Sequence, residues 1–241
     1  MPYQKDRPPE EKASLLSSPL LTFGGFCLAG AAGYVNAAAL AFFHIPISHI
    51  SGAVTRLGAD AVDGEAAAAL FSLSLIGAFL AGAVTSGVVI GAATFTAARR
   101  YGFALVIEGM ALLAVALVIK DGRSFGPPLA AFACGLQNGM ASSYYGLIVR
   151  TTHMTGILTD IGVLFGQLLR HRRIELWKLA VLGSIFAGFL SGGMLGTLAV
   201  ERFYARAFLL PAAGTIAAGI VYIAIVWLAR LKEDETDPDA Q

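Results

Sequence analysis

His49–Gly58 reads HISGAVTRLG and His153–Gly162 reads HMTGILTDIG. Both run His, any residue, Ser or Thr, Gly, two residues, Thr, a charged residue, any residue, Gly. The match extends upstream, where Gly33-x-x-Asn36-Ala37 precedes the first copy and Gly135-x-x-Asn138-Gly139 the second. Downstream, Gly77, Gly82 and Gly87 share their five-residue spacing with Gly183, Gly188 and Gly193. Glycine matches are cheap in a chain with 28 glycines, so the shared Asn, His, Ser/Thr and Thr carry the duplication. The chain is read as one structural unit written twice.

What surrounds the phrases defines the solvent. Only 14% of the 241 residues are charged and 56% are hydrophobic, with mean hydropathy +0.71. A soluble domain carries about a quarter charged residues. Here the charges sit between long apolar runs, and about 20 apolar residues cross a bilayer core. The expected class is an all-α integral membrane protein, because the runs lack the alternation of barrel strands. A net charge of +1 without a basic patch gives no nucleic-acid reading. Cys27 and Cys134 lie inside apolar runs, without metal-ligand spacing, and are read as small buried residues. No metal or other cofactor is expected.

Six long spans are predicted: Leu20–Phe43, Ala66–Ala97, Tyr101–Ile119, Phe125–Val149, Leu179–Val200 and Ala207–Ala229. Pro46 disfavours helical geometry at Ile45, which ends the first near Phe43. Residues 1–19 read as a cytoplasmic tail and 231–241 as a disordered one. Residues 20–119 form the first repeat, with a short polar element at 44–65. Residues 120–230 form the second, with its element at 150–176. Each element is too short to span and is read as a re-entrant or interfacial helix. If neither crosses, each repeat crosses three times and the second is inverted, as in many secondary transporters. If both cross, the repeats are parallel. The positive-inside rule favours a cytoplasmic N-terminus, placing 12 of the 17 Lys and Arg inside. The same 12 arise in either arrangement, so element length decides for six spans.

The order Gly-x-x-Asn-Ala, a Ser/Thr-Gly element, then Gly-x-x-Asn and a second Thr-Gly element resembles the YoaK family. The likeness covers Leu20 to Ala229. It implies a small bacterial inner-membrane protein of about six helices and no established activity. Where that family's first copy reads Met-Thr-Gly-Asn, this chain has Ile50-Ser51-Gly52-Ala53. Met154-Thr155-Gly156 keeps the pattern.

Intramembrane polar residues are costly and are functional candidates by default. Asn36 and Asn138 serve either interhelical hydrogen bonding or solute contact. Ser51 and Thr55, like Thr155 and Thr159, fall on one face of a short helix. A helix start of this composition offers hydroxyls and free N–H groups to an anion, or is simply an N-cap. His49 and His153 open the phrases and lack a third metal ligand. These eight residues are the expected solute-binding set. Arg56 and Asp160, in equivalent places, are expected to pair between repeats. Glu108, the one acid deep inside a long run, is the proton-coupling candidate. No hydrolase elbow, P-loop or dinucleotide fingerprint appears, so no enzyme is expected. The functional expectation is a permease for a small polar or anionic solute. A membrane scaffold or assembly factor is the alternative, and an intramembrane enzyme a distant third. Oligomeric state is not legible.

Overall fold

The computed structural model describes residues 19–91, 98–119, 125–143, 151–171, 174 and 176–236. The regular structure among them is helical: α1 (Pro19–Phe43), α2 (Ile50–Val62), α3 (Ala66–Ile90), α4 (Ala98–Ile119), α5 (Gly126–Ser143), α6 (Met154–Leu169), α7 (Leu176–Phe203), a 3-10 turn (Tyr204–Phe208) and α8 (Leu209–Thr236). Among the described residues four stretches are long and apolar enough to cross a membrane: Thr22–Phe43, Ala66–Ile90, Arg100–Ile119 and Leu176–Ala229. The last runs through α7, the 3-10 turn and α8. α3 is apolar on every side, yet only 17% of its most apolar window is buried. Leu70, Leu80, Val84 and Val88 point outward. A helix hydrophobic all round with so little cover suits lipid rather than water. This is a helical protein of membrane character.

Local chemistry sets the element ends. His44 takes a left-handed conformation (φ 60°) and donates its N–H to the Leu40 carbonyl. That caps α1 just before the Pro46 restriction. α3 closes at Gly91, whose N–H makes the last helical bond, to the Gly87 carbonyl at 2.9 Å, and whose φ of 67° then turns the chain away, a conformation that favours glycine. The 3-10 turn starts at left-handed Tyr204 and docks on α1. There Tyr34 Oη donates to the Ala207 carbonyl at 2.9 Å, and the Phe42 and Tyr204 rings meet edge to face at 5.2 Å.

Three helix pairs organise the bundle, α1 with α7, α3 with α5, and α4 with α8. In the first, Gly188 lies on the Phe26 carbonyl, Gly192 on that of Gly30 and Gly196 on that of Tyr34. Numbers rise together, so α1 and α7 run parallel. In the second, Gly135 lies on the Phe79 carbonyl and Gly139 on Ser86, again parallel. In the third, Gly102 meets Gly219 while Gly109 meets Ala212, so α4 and α8 are antiparallel. The main core gathers Tyr34, Leu75, Leu112, Ala130, Cys134 and Phe208, from the long helices and the 3-10 turn.

Of the glycines at five-residue spacing, Gly77, Gly87 and Gly183 meet nothing. The contacts match Gly82, on the Phe132 carbonyl, with Gly192, and Phe79 with Phe189, which carries Gly33. Two expectations need correction. Cys27 is exposed, and only Cys134 is buried. The last helix continues to Thr236, past the expected tail boundary at 231, because Lys232, Glu233 and Glu235 are good helix formers. The tail expected at 1–19 lies outside the described residues except for Pro19.

Gly82→Val forces a side chain into the Phe132 carbonyl and is expected to cost about 1–3 kcal/mol or more. Gly77→Ala enters open space and should leave stability unchanged or raise it by up to about 1 kcal/mol. Thermal denaturation of both purified variants in detergent checks the contrast.

Candidate functional site

Each polar phrase is held by the asparagine upstream of it. Asn36 Oδ1 accepts hydrogen bonds from the Ser48 N–H at 3.1 Å and the Ser48 hydroxyl at 2.7 Å. In the second copy, Asn138 Oδ1 accepts from the Thr152 N–H at 3.4 Å and the Thr152 hydroxyl at 3.1 Å. Asn138 Nδ2 also donates to the Cys134 carbonyl at 2.8 Å. Between the two readings open to these residues, the geometry favours structure, since each asparagine staples the turn before a short helix. The staple partners, Ser48 and Thr152, were missed by sequence reasoning although the signal existed. Both phrases begin one residue earlier, as Ser/Thr-His.

The histidines sit at the starts of α2 and α6 without making a side-chain cap hydrogen bond. The glycine three residues on leaves room for each ring. A Cβ on Gly52 would lie 3.1 Å from His49 Nδ1, and one on Gly156 would collide with the His153 ring. Ser51, Thr55, Thr155 and Thr159 are exposed. Thr55 Oγ1 donates to the Ser51 carbonyl at 2.9 Å and Thr159 Oγ1 to the Thr155 carbonyl at 2.8 Å. Each of these hydroxyls is thus bonded within its own short helix. α2 packs on α3 and α6 on α7. Arg56 and Asp160, expected to pair directly or through water, are both exposed on their own short helices and make no direct ion pair among the described residues.

Glu108 is where the sequence pointed. It is 2% exposed, and its Oε2 has no hydrogen-bond partner. One turn before it, Ala104 packs with Leu136 and Met140 of α5. One turn after it, Leu112 packs in the core that holds Ala130 and Cys134. The carboxyl is thus enclosed at the α4–α5 contact and, among the described residues, paired with no base. Gln137, 3% exposed, crosses the bundle centre and donates Nε2 to the Leu28 carbonyl of α1 at 2.9 Å. Among the described residues no group of three His, Cys, Asp or Glu side chains is placed to hold a metal ion.

Residues 24–221 match the model of a family described as a protein of unknown function, DUF1275. The chain belongs to the DUF1275 family. No curated protein matches the chain, and no solved structure matches it.

Removing the staple tests its role. Asn36→Ala leaves the buried Ser48 N–H and hydroxyl without their acceptor, an expected loss of about 1–3 kcal/mol. Thr55→Ala removes only an exposed hydroxyl and should cost less than about 0.5 kcal/mol. Thermal unfolding of the two variants side by side reads the difference.

Proposed function

We propose that this DUF1275 protein is a six-span secondary transporter of a small polar or anionic solute, built from two inverted three-helix repeats and coupled to protons through Glu108. The observation that carries the reading is the enclosed Glu108 carboxyl with an unpartnered oxygen. An ionisable group costs too much inside a bundle to persist without a use or a partner. Helix direction supports the architecture. If α2 and α6 do not cross, strict alternation makes α1 and α7 parallel, α3 and α5 parallel, and α4 and α8 antiparallel. If both cross, α4 and α8 would run the same way, contrary to the contacts of Gly102 and Gly109. Each repeat's first helix then packs on the other's second, and the two third helices pack together, as a pseudo-two-fold axis in the membrane plane requires. On Gly135-x-x-Asn138 and Met154-Thr155-Gly156 we place the chain near YoaK within the family, in a bacterial inner membrane with a cytoplasmic N-terminus.

A scaffold is the second reading, and the backbone-to-backbone packing between the proposed halves favours it. Transport then requires those halves to rock against each other, and the solute-contacting roles of Ser51, Thr55, Thr155 and Thr159 belong to another conformation. Flux separates the readings. Proteoliposomes containing a pH-sensitive dye should acidify or alkalinise when a panel of small organic and inorganic anions is applied. Glu108→Gln should keep the fold and abolish the proton-linked signal. Wild-type protein silent across the panel leaves the scaffold. For the architecture, Asp63→Cys and His171→Cys, in a background lacking Cys27 and Cys134, should label from opposite sides of the membrane. Labelling from one side rejects the inverted repeat.

A further inference from the structure

A cavity of about 130 Å3 lies between the α1–α2 turn, α2 and α3. One water needs roughly 10–15 Å3 of such space, so there is room for a multi-atom group. Its polar lining has one character. Arg56 comes from α2, His49 from the turn that caps it, and Ser72 from α3. No acid lines it. Asp60, one turn beyond Arg56, is outside the lining, and Arg56 makes no ion pair among the described residues. His49 supplies at least one N–H donor in either protonation state. Ser72 is 4% exposed and makes no hydrogen bond among the described residues, whereas Ser74, two residues on, satisfies itself on the Phe71 carbonyl at 2.6 Å. The Ser72 oxygen is not sealed off among the buried unpartnered atoms, so it opens onto accessible space beside the cavity. It lines the cavity together with Arg56, a donor only, and His49, which offers at least one N–H.

The second copy of the phrase shows what the same place looks like when filled. Ile157 stands for Ala53 and Asp160 for Arg56. In the register that matches Gly82 with Gly192, Leu182 stands for Ser72 and Ile185 for Leu75. There Ile157, Val181 and Ile185 form a buried apolar cluster with Leu182 packed against it. The first copy therefore differs in three coordinated ways: Ala53 is too short to fill the space, Ser72 adds a donor to its floor, and Arg56 reverses the charge at its edge. Simple divergence of a packing site has no reason to make all three changes favour one ligand chemistry.

We infer that this cavity is a binding site for a small anionic oxygen group, a carboxylate or a phosphate, held by Arg56, His49 and Ser72. The guanidinium supplies charge-assisted hydrogen bonds at the edge, and the Ser72 hydroxyl gains the acceptor it lacks. The group arrives either as a free anion or as the head of an anionic lipid. This site does not depend on transport, on Glu108 or on the inverted repeat.

The test is ligand-dependent thermal stability of the full chain in maltoside micelles, which contain no phosphate. Three probes are titrated: inorganic phosphate, acetate and dihexanoyl phosphatidylglycerol, with dihexanoyl glycerol as the uncharged control. Binding to the folded state raises Tm as the probe exceeds its Kd. A saturable rise with phosphate or acetate identifies a free-anion site, and a rise with the phospholipid alone identifies a headgroup site. Arg56→Gln should weaken binding at least about tenfold. The double variant Ala53→Ile/Ser72→Leu installs the second copy's filling and should abolish the response. Asp160→Asn, in the other copy, should leave it intact. Should the double variant fail to fold, Arg56→Gln, an exposed substitution, decides alone. No response to any charged probe overturns the proposal. So does a response that Arg56→Gln leaves undiminished, or an equal response to dihexanoyl glycerol.

Discussion

The bundle depends on helices meeting backbone to backbone. Where Gly192 lies on the Gly30 carbonyl, and Gly135 on that of Phe79, no Cβ intervenes. In a bilayer the lipid tails are as apolar as leucine, so burying a large side chain between helices gains little over leaving it in lipid. Short-range packing over a small-residue surface is what remains. The same contacts bring α5 within reach of α1, letting Gln137 hydrogen bond to the Leu28 carbonyl. They also fix which helices run parallel, and through that the set of topologies compatible with the chain.

Inside that frame, polar side chains divide by whether they are satisfied locally. Asn36 and Asn138 are consumed by the turns they hold, and Thr55 and Thr159 by the carbonyls one turn behind them. They define the fold of the short elements. Glu108 Oε2 is buried without a hydrogen-bond partner among the described residues, and Ser72 lines the cavity beneath α2. These are the groups on which the two proposals rest, binding a proton in one case and an anion in the other. Both are also asymmetric. Glu108 has no acidic counterpart on α8, and the Ser72 position is Leu182 in the second copy. Duplication supplies the scaffold, and departures from it mark the places with a separate task.

Much of this was legible in one dimension. Long apolar runs against 14% charge force helices that satisfy their own backbones, and Pro46 ends the first of them, because both effects act within a few residues. The duplicated phrase announced two short elements of the same construction, since the staple and the ring-on-glycine contact are local too. The place of Glu108 in an uncharged run singled it out, while its enclosure came from the packing of α5 on α4. Three things were decided only by tertiary structure. One is the glycine register, since identical five-residue spacings do not say which face of a helix meets a neighbour. Another is the failure of Arg56 and Asp160 to pair directly, because equivalent positions in two copies share an environment without sharing a location. The third is the cavity beneath α2, which arises from Ala53 and Ser72 on different helices. Each is small for reasons invisible until the helices pack, because a void is a property of the space between elements and no single stretch of chain encodes it.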